Sequence, residues 1–276
     1  MKNCIITIYR NDKNNTRLRQ KEIFINIMSN LFPKHDIYII EQSEDGKKFN
    51  IGKLKNIGFD IAKNYDNYIF SDIDNIPNED LTKYYNINFK NCIYGLAHKG
   101  TRYTTINNSK EIFLGGVVGV NKKVFIKLNG YPNNFWGWGG EDNALTVRAY
   151  KEKIMICYPK EGKVIDTEVI NKKQISIENK MKIIKKNKNK ELLKYEKLIY
   201  DFNNYKKNGI NSLDYKILSK SKNKNIYSYI VDLKYDNDLK KNPQLYNFKN
   251  LSFKKIKKIY NSLITKNINK IKINII

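Results

Sequence analysis

Short apolar runs alternate with longer stretches of helical spacing through the amino-terminal half of the chain. CIITIYR, Cys4 to Arg10, predicts a buried strand that ends in a polar loop. Leu18, Ile23, Ile25, Ile27 and Leu31 then recur at helical spacing, and HDIYIIEQ predicts a second strand. In FNIGKLKNIGFDIAKNY, Leu54, Ile57, Gly58 and Ile61 share one helical face. NYIFSDIDNIP is apolar up to Phe70 and acidic directly afterwards, which predicts a third strand with Asp72 and Asp74 at its carboxyl end. CIYGLAH and IFLGGVVGV read as further strands, NKKVFIKLNG as a helix closed by Gly130, and EDNALTVRAYKEK as another helix. Strands alternating with helices predict an α/β fold: a Rossmann-like, mainly parallel sheet flanked by helices, with ligands outside the strands' carboxyl ends.

The carboxyl-terminal part has a different pattern. Lys172 to Lys206 is strongly basic with sparse apolar positions, which predicts loops and some helix. In the last segment Phe253, Ile256, Tyr260, Ile264, Ile268, Ile271 and Ile275 step by three and four, with lysines on the remaining face and no acids. That describes a basic amphipathic helix. The expected organisation is a catalytic domain over 1–236 and a basic tail over 237–276. The tail would lie on an anionic membrane surface, each lysine contributing about 1 kcal/mol.

The net charge of +25 first suggests nucleic acid. However, Lys, Asn and Ile recur throughout, as in KKNKNKELLK, and no recognised nucleic-acid motif accompanies the charge, so no nucleic-acid partner is expected. The first apolar run is too short for a secretory signal, and no stretch approaches the roughly 20 apolar residues of a membrane span. Cys4, Cys92 and Cys157 are widely spaced and odd in number, as in a reducing compartment. The expected location is cytoplasmic, peripheral on the inner face of the membrane.

Two constellations carry chemistry. In SDID, Asp72 and Asp74 would share one face of an extended chain and hold a hard divalent cation that neutralises a diphosphate. In WGWGGED, Gly137, Gly139 and Gly140 permit unusual backbone conformations, and Trp138 offers a flat apolar face suited to a sugar ring. Glu141 and Asp142 follow at a predicted helix start, where a carboxylate can act as general base toward a sugar hydroxyl.

With these motifs in order, the chain resembles the β-1,4-galactosyltransferases, inverting metal-dependent enzymes of the GT-A fold. The resemblance runs through YRN, FNIGKLKNIGF, FSDIDNIP, FLGGV, LNGYPNNFWGWGGED and GINSLDYKIL, up to about Asp236. It implies that Arg10 and Phe49 contact a uridine nucleotide, that Asp74 ligates Mn2+ or Mg2+, and that Asp72 lies close to the donor sugar. It further implies that Trp138 closes over donor and acceptor, that Glu141 binds sugar hydroxyls, and that Asp142 is the catalytic base. The implied partners are UDP-galactose and a sugar-terminated glycan acceptor. The alternatives are transfer of N-acetylgalactosamine or another hexose, or a binding protein without catalysis.

Three kinds of departure from the family pattern stand out. Asp12 stands where a second arginine is expected and Ile51 where another is, which leaves Lys53 and Arg102 as candidate phosphate contacts. The family's metal-binding Met and His lack direct counterparts: KVIDTEVINKK offers Asp166 and Glu168, and ungapped alignment puts Glu168 at the Met position. The two histidines, His35 and His98, read as structural or solvated. Phe113 stands where galactose-using relatives carry tyrosine. Its bulk favours galactose, while the lost hydroxyl leaves room for the N-acetylated sugar.

Overall fold

The structure, a computed structural model, describes residues 2–12, 14–101, 112, 114–137, 139–167, 188–236 and 251–276. The predicted strands form as β1 (Asn3–Tyr9), β2 (Asp36–Gln42), β3 (Asn67–Asp72), β5 (Cys92–Gly95) and β6 (Val117–Asn121), with a short β4 (Asn75–Pro77) after β3. Between them lie α1 (Thr16–Leu31), α2 (Ile51–Ile61) and α3 (Glu79–Thr82). Next come α4 (Lys122–Lys127), α5 (Glu141–Lys151), β7 (Met155–Tyr158) and β8 (Val164–Asp166). A helix α6 (Lys188–Asn204), a hairpin of β9 (Lys216–Asn223) and β10 (Ile226–Asp232), then α7 (Phe253–Tyr260) and β11 (Ile273–Ile275) complete the chain.

Among the described residues, nine strands form one sheet in the order β11-β7-β5-β6-β3-β1-β2-β10-β9, and β4 and β8 pair separately. β6 runs antiparallel to both neighbours and β9 antiparallel to β10, while the other pairs are parallel. The central strands are buried on both faces, as their unbroken apolar runs require. Ile6 and Ile8 of β1 pack with Leu54 and Ile57 of α2, whereas Ile5 packs with Phe24 and Met28 of α1 on the opposite face. The mainly parallel α/β architecture expected from the sequence is therefore present.

The carboxyl-terminal expectation is corrected. Residues 251–276 do not form one helix with a free apolar face. After α7 the backbone passes through a π turn at Asn261–Thr265, and β11 then pairs with β7, Ile273 opposite Ile156. Ile256 and Ile264 are completely buried, and Tyr260 stacks on Tyr195 of α6 with ring centroids 4.4 Å apart. Through Ile264 the apolar stripe is covered by the domain's own helices, whereas Ile275 in β11 is 66% exposed. No helix among the described residues is long and apolar enough to cross a membrane.

Candidate active site

β3 and α2 bring the first part of the site together. Helix α2 is capped by Asn50, whose side chain accepts from the Lys53 amide at 3.0 Å. Every residue from Gly52 to Phe59 is buried, including Lys53, Lys55 and Asn56. Gly52 allows this closeness: a Cβ there would lie 2.8 Å from the Pro132 carbonyl oxygen and 3.5 Å from the Glu141 Cβ. Asn56 then reads the facing chain through its amide, donating to Tyr131 O at 2.7 Å and accepting from the Tyr131 amide at 2.9 Å. Asn50 donates to Asn133 O at 2.6 Å. These bonds fix the segment that leads into the Trp/Gly motif.

Within that motif Gly137, Gly139 and Gly140 have φ of 84°, 90° and 103°, values that a side chain strongly disfavours. The sequence cluster of glycines is thus a backbone requirement, and it turns the chain into α5. Gly137 N donates to Phe49 O at 2.8 Å, tying the motif to the residue before the α2 cap. Glu141 and Asp142 occupy the first turn of α5, where the helix dipole favours ionised carboxylates.

Of the expected donor-side residues, Arg10 and Phe49 meet each other, and Asp72 meets a lysine of α2. The Arg10 guanidinium lies 5.2 Å from the Phe49 ring centroid and donates to Lys47 O at 2.6 Å. Asp72 ends β3, and its carboxylate is 3.1 Å from the ammonium of Lys55, a residue the sequence reading did not single out. Burial opposes the Lys55 charge, but Asp72, followed by Tyr131 and Glu141, outweighs it and holds the ammonium above the usual lysine range. Glu141 is pushed up to about 7, chiefly by loss of solvent and then by the Asp142 charge, against the opposing pull of Lys55.

Several expectations are revised here. Asp72 and Asp74 do not share a strand face, because β3 ends at Asp72 and the chain turns before β4 begins. Asp74 Oδ2 instead accepts from Arg17 at 3.2 Å. Asp12, in the place of an expected arginine, caps α1 by accepting from the Thr16 amide at 2.6 Å. Lys53 is not placed to meet a phosphate, since its buried ammonium donates to Leu233 O at 2.5 Å and ties α2 to the end of β10. His35 bonds Tyr85 O at 3.1 Å and His98 stacks on Tyr158 at 4.2 Å, as structural histidines do. Arg102, Phe113, Trp138 and Glu168 lie outside the described residues.

Oxygen donors gather beside Asp74. Asp166 stands directly opposite Asn75 in the β4–β8 pair, and the Asn75 amide is 3.4 Å from Asp74 Oδ1. Asn75 Oδ1 is buried without a hydrogen-bond partner. The set fits a hard divalent cation, which takes oxygen ligands and commonly uses one or two carboxylates together with substrate phosphates. Among the described residues no cluster of three or more His, Cys, Asp or Glu could close the shell by itself.

Two further residues escaped the sequence reading. Lys197 of α6 is buried and donates to Trp136 O at 2.9 Å, beside the Trp/Gly motif. Burial lowers its ammonium to about 8, with Lys48 adding to the shift and Glu141 opposing it. Arg148 of α5 forms a two-pronged pair with Asp201 of α6 at 2.6 and 3.0 Å. Both lysine and arginine were hidden in a chain where basic residues are everywhere.

A mainly parallel sheet whose strand ends gather an arginine–aromatic pair and separate acidic groups defines a GT-A type α/β fold. Solved structures with this fold include Drosophila β-1,4-galactosyltransferase 7, as a variant in complex with manganese, UDP-Gal and xylobiose, and as its catalytic domain with xylobiose. For the former the TM-score is 0.63 at 21% identity, covering 90% of this chain and 100% of that one. For the latter the TM-score is again 0.63, covering 89% and 99%. A sequence model described as the N-terminal region of glycosyl transferase group 7 matches residues 1–87, and one described as the N-terminal domain of galactosyltransferase matches 97–172. Together they span more than half of the chain. Human β-1,4-galactosyltransferase 4 is 37% identical over 129 residues, 45% of this chain and 36% of that protein. Mouse β-1,4-galactosyltransferase 1 is 30% identical over 193 residues, 67% of this chain and 43% of that protein. The chain belongs to the β-1,4-galactosyltransferase family, and its matched part spans less than half the length of these curated relatives.

Proposed function

We propose that the protein transfers galactose from UDP-galactose to a hydroxyl of a sugar acceptor, with inversion, in the presence of Mn2+ or Mg2+. The observation that carries this reading is that the end of β3, through the Asp72–Lys55 pair, and the start of α5, through Glu141 beside Gly52, both meet helix α2. Arg10 and Phe49 receive the uridine nucleotide by guanidinium and ring contact. Glu141 accepts hydrogen bonds from sugar hydroxyls. Asp142 takes the proton of the acceptor hydroxyl as its oxygen bonds to the anomeric carbon. The bond from that carbon to the diphosphate oxygen breaks, UDP leaves with the electron pair, and an α-linked donor yields a β-linked product. A divalent cation held by Asp74, with Asp166 and Asn75 beside it, would neutralise charge on the departing diphosphate. Support comes from family membership and from the manganese and UDP-Gal of the Drosophila relative.

The test is UDP release from a panel of UDP-sugars, with Mn2+ or Mg2+ and with chelator, with and without simple sugar acceptors. The expected result is acceptor-stimulated, metal-dependent release from UDP-galactose. Asp142→Asn should lose about a hundredfold or more in turnover, the usual contribution of a general base, while UDP-galactose binding stays within a few-fold. Full activity in that variant refutes the base assignment. Release from UDP-N-acetylgalactosamine alone replaces the donor.

A further inference from the structure

Lys55 has no ordinary reason to be where it is. A lysine is almost never fully buried unless it is paired, and an aliphatic residue at this position of α2 would complete the apolar packing around Leu54 and Ile57. Instead the ammonium reaches the carboxylate of Asp72 at 3.1 Å and lies 5.3 Å from the Tyr131 ring centroid. Tyr131 is itself fully buried, and its hydroxyl has no hydrogen-bond partner. The strand end and the segment before the Trp/Gly motif therefore meet around one cation, and the first turn of α5 packs on the same helix, with Glu141 Cβ 3.5 Å from where a Cβ at Gly52 would lie.

We propose that Lys55 is a positioning residue of the transfer site: its ammonium, locked to Asp72, sets the charge and placement of the carboxylates that receive the donor sugar. This rests on the functional reading above. The physical argument concerns charge density. Asp72, Glu141 and Asp142 place three carboxylates where a doubly charged diphosphate donor must also enter. Without an internal cation, like charges would favour protonation of the most desolvated of them, Glu141. Lys55 offsets that without occupying space in the cleft, because it approaches from the helix side.

The charged and titratable groups that face Glu141 are Lys55 from α2, Asp72 at the end of β3, Tyr131 before the motif, Asp142 beside it and Lys197 from α6. Of these, Lys55 is the larger cationic influence on Glu141. Removing it should raise the pH at which Glu141 becomes competent, whereas a role confined to packing would change stability alone.

The experiment measures UDP-galactose binding calorimetrically, without acceptor and across about pH 5.5 to 9, for the wild type, Lys55→Arg and Lys55→Met. It also measures the pH profile of kcat/KM for the donor. The acidic limb should move up by roughly one pH unit or more in Lys55→Met, and Lys55→Arg should retain the wild-type limb. If Lys55→Met does not fold, Lys55→Met combined with Asp72→Asn removes the buried pair as a unit. Its limb should still move up, by less, because the Asp72 repulsion is lost as well. A folded variant lacking Lys55 whose limb stays in place overturns the positioning role and leaves the transferase reading standing. A wild type that neither binds nor uses UDP-galactose overturns both.

Discussion

Replacing Arg148 by methionine should destabilise the domain more than any change at the cleft surface. Arg148 is 0% exposed and Asp201 1%. The guanidinium makes two bonds to that carboxylate, at 2.6 and 3.0 Å, and donates to four carbonyls: Leu128 O at 3.5 Å, Asn129 O at 2.9 Å, Gly130 O at 2.8 Å and Asn208 O at 2.6 Å. Methionine fills much of the volume and satisfies none of these groups. Among the described residues, Asp201 would keep only the Asn208 side chain as a donor, at 3.3 Å. Breaking a buried pair from one side costs about 3–5 kcal/mol, and the abandoned carbonyls push the figure toward the upper end. Against a total of about 5–15 kcal/mol for a typical domain, this removes a large share of the stability.

Urea denaturation followed by tryptophan fluorescence measures it. Arg148→Met combined with Asp201→Leu should recover most of the loss, because a neutral, well-packed pair leaves no stranded charge. A single-variant loss under about 1 kcal/mol, the range of ordinary surface changes, refutes the reasoning, as does a double variant no better than the single one.

Glu141→Gln should change stability in a pH-dependent way. A carboxyl raised to about 7 favours the folded state when protonated, and that contribution is lost as pH rises through 7. The variant should therefore match the wild type near pH 4 and exceed it near pH 8 by up to about 3 kcal/mol, at about 1.36 kcal/mol per pH unit. Equal stability at both values in urea titrations rejects the shift. Lys53→Met should lower the denaturation midpoint and leave the donor KM within about twofold; a tenfold rise in KM restores the phosphate role expected from the sequence. Ile256→Ala should cost about 2–5 kcal/mol, as for a core residue, and a loss within about 0.5 kcal/mol would mark it as a surface residue instead.

The fold was legible because its signals are local. Strands β1, β2 and β3 are continuous apolar runs with abrupt polar ends, and the Gly130 stop is read from a single residue. The acidic groups were legible for the same reason: Asp72, Glu141 and Asp142 stand at element ends, where an ordered motif marks them. The turn separating Asp72 from Asp74 was not, since four residues, SDID, are consistent with an extended chain until β4 is seen to pair with β8. The burial of the lysines of FNIGKLKNIGF was not legible either, because a charged residue is rarely fully buried. Their burial depends on Asp72 and on Leu233 O, 180 residues from Lys53 in sequence, and no local pattern contains that information.

The same logic explains the carboxyl-terminal segment. An amphipathic stripe establishes that an apolar face needs cover, and a lipid surface and a neighbouring helix satisfy that need equally well. Here α6 supplies the cover, through Tyr195 against Tyr260, and the chain then adds a strand to the sheet edge at β7. The consequence reaches the cleft. Helix α6 carries Lys197 and Asp201, the partners of Trp136 O and Arg148. Packing of residues 251–276 on α6 thus buttresses the helix that fixes α5, and with it the turn that presents Glu141 and Asp142. A segment whose composition suggests a detachable tail is, in the folded chain, part of the support of the acidic end of the site.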